Sequence, residues 1–250
     1  MNAVVLAAGT STRLREVCAD RPKCLAEVAG APILRHMLDH FMACGVDAVT
    51  IVTGYREEQI ASAVSEWGLP LSVRLVRNDA FDRTNNAASL LCARKEVDGR
   101  EFILLDGDVV FERAVLDLIV HSAQPDIVAL RPADELSAEE VKCQVDGTGR
   151  VLRIGKDIPP AEAAGESIGI ERFSPVASRA LFETLEERIS KQGLVNEWYE
   201  SSFQQMIDQG VALYALSVGR LCCAEIDTPD DLRAADLLMR DCDRHGSTES

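Results

Sequence analysis

The 250-residue chain has no run approaching the roughly 20 apolar residues that span a bilayer, and its opening "MNAVVLAAG" lacks the basic segment and cleavage site of a signal peptide. A cytoplasmic location is expected. Net positive charge is lacking too, since 41 acidic residues against 26 basic ones leave a formal charge of -15. Nucleic acid or an anionic membrane needs a broad basic face that displaces counterions. Neither partner is expected, and the ligand should be small. No Cys-x-x-Cys and no Cys/His cluster at zinc spacing occurs among Cys18, Cys24, Cys44, Cys92, Cys143, Cys222, Cys223 and Cys242. Reduced, mostly buried thiols are expected. His36 and His40 stand i,i+4 on a helix, but two ligands on one face make only half a metal site. Without an internal repeat or a low-complexity linker, one domain over residues 1–243 is expected, with 244–250 as a frayed tail.

What is present is a regular alternation. "AVVLAA" (Ala3–Ala8) is an apolar run ended by Gly9, as in a central strand buried on both faces. "PILRHMLDHFMACG" carries Ile33, Leu34, Met37, Leu38, Phe41 and Met42 at helical spacing and closes on Gly45. Strands "AVTIVTG", "SVRLVR", "FILLDGD" and "DIVAL" then alternate with helices "REEQIASAVSEWG", "NNAASLLCARKEV" and "RAVLDLIVHS". From about Arg131 the pattern changes. "VKCQVDGTGRVLRIGKD" reads as a hairpin around Asp146-Gly147-Thr148-Gly149 and begins a β-rich insertion. Strand "ESIGIERF", helices "PVASRALFETLEERI" and "WYESSFQQMIDQG", strands "ALYALSV" and "CCAEID", and a last helix "TPDDLRAADLLMRDC" complete the chain. Thr228 caps that helix, with Pro229 at its first position.

Positive charge is concentrated in one place: Arg13, Arg15, Arg21 and Lys23 fall within eleven positions. The loop behind the first strand holds Gly9, Thr10, Ser11 and Thr12 and then presents Arg13. Its backbone N–H groups can approach an anion while the guanidinium adds a charged fork. The ordinary alternative is a tight turn with solvated arginines. The P-loop pattern and the Gly-x-Gly-x-x-Gly fingerprint are both missing. Pro22 restricts the chain just before Lys23, so a positioned ammonium is expected. Two such cations would balance a triphosphate and the charge shifting to a pyrophosphate leaving group. Mg²⁺ favours one or two carboxylates together with phosphate oxygens and water. Asp106 and Asp108 end one strand, and Glu225 and Asp227 end another on one face. Asp108, Asp227 and Glu225 are the candidate metal ligands. Their alternatives are a helix cap for Asp227 and a strand-end hydrogen bond for Asp106.

In order, "LAAGTSTRL", "RPKCLAEVAGAPIL", "LLDGDVVF" and "EIDTPDDLRAA" resemble the nucleotidyltransferases of the sugar-1-phosphate and phosphocholine type along nearly the whole chain. "RTNNAASLLCARKEV" and "NEWYESSFQQMI" are most similar to the bacterial CTP:phosphocholine and 2-aminoethylphosphonate cytidylyltransferase branch. The resemblance implies an α/β, Rossmann-like nucleotide-diphospho-sugar transferase fold, with a mixed central sheet flanked by helices and a small β-rich insertion on the acceptor side. It implies Mg²⁺-dependent transfer of CMP from CTP to a small amine-bearing phosphonate or phosphate, with release of pyrophosphate. The alternative is a sugar-1-phosphate or inositol-phosphate acceptor. A glycosyltransferase or a nucleotide sensor without turnover fits less well, because Arg13, Lys23, Asp108 and Asp227 occur together. A homo-oligomer is left open.

Carried over by motif, Ala7, Ala8, Gly9, Thr10 and Ser11 line the nucleotide pocket, Arg13 and Lys23 meet the phosphates, and Asp108 and Asp227 hold Mg²⁺. Asn85, Asn86 and Ser89 fall near the base and ribose, with a helix cap as their alternative, and Asp106 joins the nucleotide side. Family members often carry a second glycine where this chain has Ser11. For the acceptor, Trp198 and Tyr199 beside Glu197 and Glu200 can hold an alkylammonium head; equally, one of the two rings can belong to the core. Lys142, standing where phosphocholine enzymes carry an aromatic, suits a phosphonate. Lys156 can hold the acceptor phosphate and Glu166 an amine or hydroxyl, or the two can form a surface pair.

Overall fold

The computed structural model describes residues 1–14, 20–132, 136 and 139–246. Arg15 and Cys18 lie outside them. The elements run β1 (Asn2–Ala7), β2 (Glu27–Val28), β3 (Ala31–Pro32), α1 (Ile33–Ala43), β4 (Ala48–Thr53), α2 (Glu57–Trp67), β5 (Ser72–Arg77), α3 (Asn86–Cys92), α4 (Arg94–Val97), β6 (Phe102–Asp106), β7 (Val109–Phe111), α5 (Arg113–His121) and β8 (Ile127–Arg131). They continue with β9 (Lys142–Val145), β10 (Val151–Gly155), β11 (Gly165–Phe173), α6 (Pro175–Leu185), α7 (Glu200–Asp208), β12 (Tyr214–Ser217), β13 (Cys223–Glu225) and α8 (Pro229–Gly246).

Because β1 is apolar at every inner position, it can be covered on both faces, and it sits in the middle of the sheet. Val4 and Leu6 face a core shared with α3, α6 and α7, whereas Ala3, Val5 and Ala7 face a second core with α1, α5 and α8. The main sheet runs β10-β9-β11-β6-β1-β4-β5, with β8 and β12 branching from β11. Strands β5, β4, β1 and β6 are mutually parallel, and β11 is antiparallel to β6, β8 and β9. The sheet is mixed, as expected. Consecutive crossovers place β4 on one side of β1 and β6 on the other, which opens a crevice at the carboxyl ends of these strands.

α1 buries Ile33, Leu34, Met37, Leu38 and Phe41, and Gly45 ends it at φ +72°. The hairpin β9–β10 forms where the Gly-rich turn indicated. Two short ribbons were not expected: β2 with β3, and the pairing of β7 with β13, the latter inside the expected strand "CCAEID". Two- and three-residue strands have no periodicity to read. α7 starts at Glu200, two residues later than its pattern suggested, and α8 extends through Gly246 into the expected tail. Residues 247–250 lie outside the described ones. The cysteine expectation fails at one pair, since Cys222 and Cys242 are joined by a disulfide with Cα atoms 6.7 Å apart. Cys24, Cys44, Cys92, Cys143 and Cys223 are free thiols. His36 Nε2 donates to the Val28 carbonyl at 2.7 Å, which gives that ring a structural partner. No helix among the described residues is long and apolar enough to cross a membrane.

Candidate functional site

A cavity of about 690 Å³ occupies the crevice at the ends of β1 and β6. Ala7, Ala8, Gly9, Thr10 and Ser11 form one rim. Ser11 has φ +53°, a left-handed conformation that glycine adopts freely and L side chains rarely do. Here the serine side chain is used: Ser11 Oγ accepts the Lys23 backbone N–H at 2.8 Å. The loop and the second cation are thereby tied together, and Arg13 and Lys23 both line the cavity.

Opposite the loop, Gly107 lets the end of β6 pass against β1. A Cβ there would lie 2.6 Å from the Leu6 carbonyl oxygen. The β7–β13 ribbon pairs Glu225 with Val109, and the Ile226 N–H donates to the Asp108 carbonyl at 3.0 Å. Asp108, Glu225 and Asp227 are thus brought together, with one carboxylate oxygen of each inside a 4.8 Å group. A capping box fixes Asp227 further. Asp231 accepts the N–H groups of Asp227 and Thr228 at 3.1 and 2.8 Å, while Thr228 Oγ1 accepts from the Asp231 N–H at 3.2 Å. The cap is therefore Thr228, and the Asp227 carboxylate is left for the cavity.

Lys23 Nζ donates to Asp108 Oδ2 at 2.7 Å and to Asp227 Oδ1 at 2.5 Å, and an Arg13 nitrogen lies 3.1 Å from Asp227 Oδ2. Burial disfavours the Lys23 ammonium, but Asp108 and Asp227 outweigh it and raise the pKa. Burial likewise opposes ionisation of Asp227, and Lys23 and Arg13 overcome it, holding the carboxyl below its usual range. Glu225 faces the open cavity. Withdrawal from bulk water and the carboxylates of Asp108 and Asp227 push it up to about 7. Asp108 Oδ1 is buried without a hydrogen-bond partner. Hard oxygen donors in excess, one of them unsatisfied, fit a divalent cation such as Mg²⁺.

The cavity floor is built differently. Asp106 Oδ2 accepts the Tyr199 hydroxyl at 2.7 Å, and a Cβ on Gly169, at φ +68°, would stand 2.7 Å from the same oxygen. Burial, then the nearby Asp108 and Glu200, raises the Asp106 carboxyl well above its usual range. Glu200 is more than nine-tenths buried, and desolvation pushes it up to about 7 against the pull of its own backbone N–H and Lys156. Its Oε2 has no partner. On the adjoining wall, Asn85 caps α3 by accepting the Asn86 N–H at 2.8 Å, and Asn86 Oδ1 accepts the Tyr199 N–H at 2.9 Å. Ser89 Oγ accepts from Asn78 Nδ2 at 3.0 Å. All three line the cavity, so the cap and the cavity wall are one structure.

The family model for the MobA-like NTP transferase domain matches residues 3–206. The chain belongs to this family. Among curated relatives, it is 32% identical over 251 residues to the CMP-5'-(3-aminopropyl)phosphonate synthase of Streptomyces rubellomurinus, covering 95% of this chain and 38% of that protein. It is 30% identical over 248 residues to the bifunctional IPC transferase and DIPP synthase of Rubrobacter xylanophilus, covering 96% and 52%. The chain thus spans about half or less of the length of these two. A UTP--glucose-1-phosphate uridylyltransferase of Haloferax volcanii is 29% identical over 188 residues, covering 72% of this chain and 74% of that protein. The solved inositol-1-phosphate CTP transferase of T. maritima superposes with a TM-score of 0.79 at 22% identity, covering 95% and 94%. That likeness establishes the shared Rossmann-like mixed α/β fold.

Of the residues expected at the acceptor, Lys156, Glu166, Trp198 and Glu200 line the cavity, and Lys142, Glu197 and Tyr199 do not. Trp198 lines the cavity, but its ring carries the Lys156 ammonium, 4.8 Å from the centroid. Tyr199 is a core residue with no exposure, its ring 5.0 Å from Phe203 and only its hydroxyl aimed at Asp106. Glu197 pairs with Arg188 and stands off the cavity. Lys142 is buried behind the wall, its Nζ donating to the Glu140 carbonyl at 2.8 Å. Trp198 and Glu200 border the cavity while Tyr199 between them turns into the core, so "WYE" offers it one ring and one carboxyl. Glu166 lines the cavity and is held by Arg131 at 2.8 Å, so its partner is that arginine and not Lys156. Arg131, Asp231, Gly169 and the fully buried Glu171 escaped the sequence reading; the Thr-x-x-Asp spacing of the capping box was the one available signal.

Proposed function

We propose that the chain transfers a nucleotidyl group, with CTP as donor, to a phosphate or phosphonate oxygen of a small acceptor and releases pyrophosphate. The observation that carries this is the pairing of Lys23 and Arg13 with the Asp108–Glu225–Asp227 group at the strand ends. A finished nucleotide sugar has no triphosphate to hold and releases no pyrophosphate, so it would not need both cations. The opening loop offers backbone N–H groups to the phosphates, and Arg13 and Lys23 balance the charge that grows on the departing pyrophosphate. The acceptor oxygen attacks the α-phosphorus in line, so no protein nucleophile is required. Asp108, Asp227 and Glu225 would hold Mg²⁺, which when bound polarises phosphoryl oxygens.

For the acceptor, a sugar-1-phosphate or inositol phosphate has the broader support. The Haloferax relative is named for glucose-1-phosphate and the superposed structure for inositol-1-phosphate. The dispersal of the aromatic pair removes the chief argument for a quaternary ammonium. One observation favours an aminoalkyl phosphonate instead: Glu200 borders the cavity with an unpartnered, buried oxygen, and the Streptomyces relative is named for such a product. The test is pyrophosphate release with Mg²⁺, each of CTP, UTP, ATP and GTP, and a panel of sugar-1-phosphates, inositol phosphate, 2-aminoethylphosphonate, 3-aminopropylphosphonate and phosphocholine. Release with CTP and one acceptor class supports the reading and names the class. Silence across the panel would sink it.

A further inference from the structure

Asp108 Oδ2 and Asp227 Oδ1, oxygens of two of the three carboxylates grouped for a cation, both accept from Lys23. We propose that Lys23 is a stand-in cation: it holds Asp108 and Asp227 assembled, then leaves them for the triphosphate when a divalent ion arrives with the nucleotide. This inference rests on the reading of Asp108 and Asp227 as metal ligands.

Three carboxylates within 4.8 Å of one another repel, and at this depth water screens them only in part. Positive charge among them relieves that repulsion. Lys23 is the main supplier, because its side chain is only 17% exposed and contacts both aspartates, while Arg13 is 67% exposed and reaches Asp227 alone. The lysine is also built to move without losing its place. Its backbone is pinned by Ser11 Oγ and by Pro22, so the four-carbon stem can swing the ammonium while the Cα stays fixed. The loop that carries Ser11 is the one that faces the phosphates, and Lys23 lies on that side of the cavity.

A metal ion arriving alone must break two charged hydrogen bonds and strand a buried ammonium, which is costly. An ion arriving with a triphosphate gives that ammonium a new anion. Metal and nucleotide therefore favour each other's binding, and the coupling is reciprocal. Asp108 Oδ1, buried and unpartnered, is the oxygen Lys23 leaves unsatisfied.

The test measures Mn²⁺ affinity of the intact chain, by electron paramagnetic resonance of free Mn²⁺, with and without CTP. In the wild type, Mn²⁺ alone should bind weakly and CTP should tighten it. Lys23→Met should bind Mn²⁺ alone roughly tenfold or more tightly than wild type, and CTP should add much less, in line with couplings of about 5- to 150-fold. Lys23→Gln, which keeps a donor without charge, serves as the second variant should the methionine variant not fold. Equal or weaker nucleotide-free Mn²⁺ binding in the variants, or wild-type Mn²⁺ binding indifferent to CTP, overturns the proposal. Both readouts are independent of turnover. An enzyme active on the acceptor panel with unchanged metal affinities would reject the stand-in role alone.

Discussion

Two ends of one cavity hold carboxylates in opposite ways. At the loop end, Asp108 and Asp227 are matched by Lys23, and the Asp227 carboxyl stays below its usual range. On the floor, Glu200 is buried and Asp106 half-buried, with Glu171 buried behind them, and all three are pushed upward. Chemistry on a polyanion needs the first kind, since a charge must be present yet free to change partners. Recognition of a hydroxyl or amine uses the second, because a buried acid with an open oxygen is costly until a donor meets it. The difference lies in what surrounds each group, and it can be broken at either end.

The largest effect belongs to the loop end. Asp108→Asn keeps shape and removes charge, and turnover should fall by about 10³-fold or more, since a bound metal ion supplies several kcal/mol to the transition state. Purified variant assayed for pyrophosphate release decides it, with circular dichroism as the folding control. Near-normal turnover would take Asp108 out of the site.

On the floor, Glu200→Gln should act mainly on stability. Glu200 faces Lys156 from β10's end, and Asp106, Glu171 and Cys143 feel the same cluster. With a folded value of about 7 against a usual value of 4.5, the unfolded chain gives up this proton first. Stability from this group is full below about pH 4.5 and is lost as pH rises through 7. The loss approaches about 3 kcal/mol above pH 7. Urea midpoints at pH 5 and pH 8 should therefore converge in Glu200→Gln relative to wild type. An unchanged difference between the two midpoints rejects the raised value. If the acceptor carries an ammonium, its KM in the wild type should also fall as pH rises through 7, and the glutamine variant should lose that slope.

Smaller again is Tyr199→Phe, which deletes one hydrogen bond to Asp106 and leaves the ring packing intact. A cost of about 1–2 kcal/mol is expected in urea unfolding. No measurable change would mean that Asp106 finds another donor.

These predictions differ in how far the sequence alone could have reached them. The parallel core was legible because β1, β4 and β6 are apolar runs and α1 keeps a helical stripe, both patterns that depend only on neighbours along the chain. The charged end was legible because Arg13, Lys23, Asp108 and Asp227 each sit beside a local mark, whether a glycine, a proline or a helix cap. What stayed hidden depends on contacts across long separations. The hydrogen bond from Tyr199 to Asp106, the anchoring of Tyr199 by Asn86 and the ribbon that carries Glu225 to Asp108 have no local signature. The Cys222–Cys242 disulfide joins the start of β13 to α8, and spacing along the chain says nothing of that meeting.

The finest test returns to the loop, where one residue serves both strain and tether. Ser11→Gly relieves a left-handed φ, a gain of about 1 kcal/mol. It also removes the oxygen that accepts the Lys23 N–H, a loss of about the same size. Net stability should therefore move by less than about 1 kcal/mol. The tether matters more for function than for folding, because Lys23 must keep its backbone fixed while its ammonium changes partner. A several-fold rise in KM for CTP with an almost unchanged urea midpoint is the expected result. If the midpoint instead rises by the full strain energy and KM stays put, the serine hydroxyl contributes nothing, and the fixed point for Lys23 is Pro22 alone.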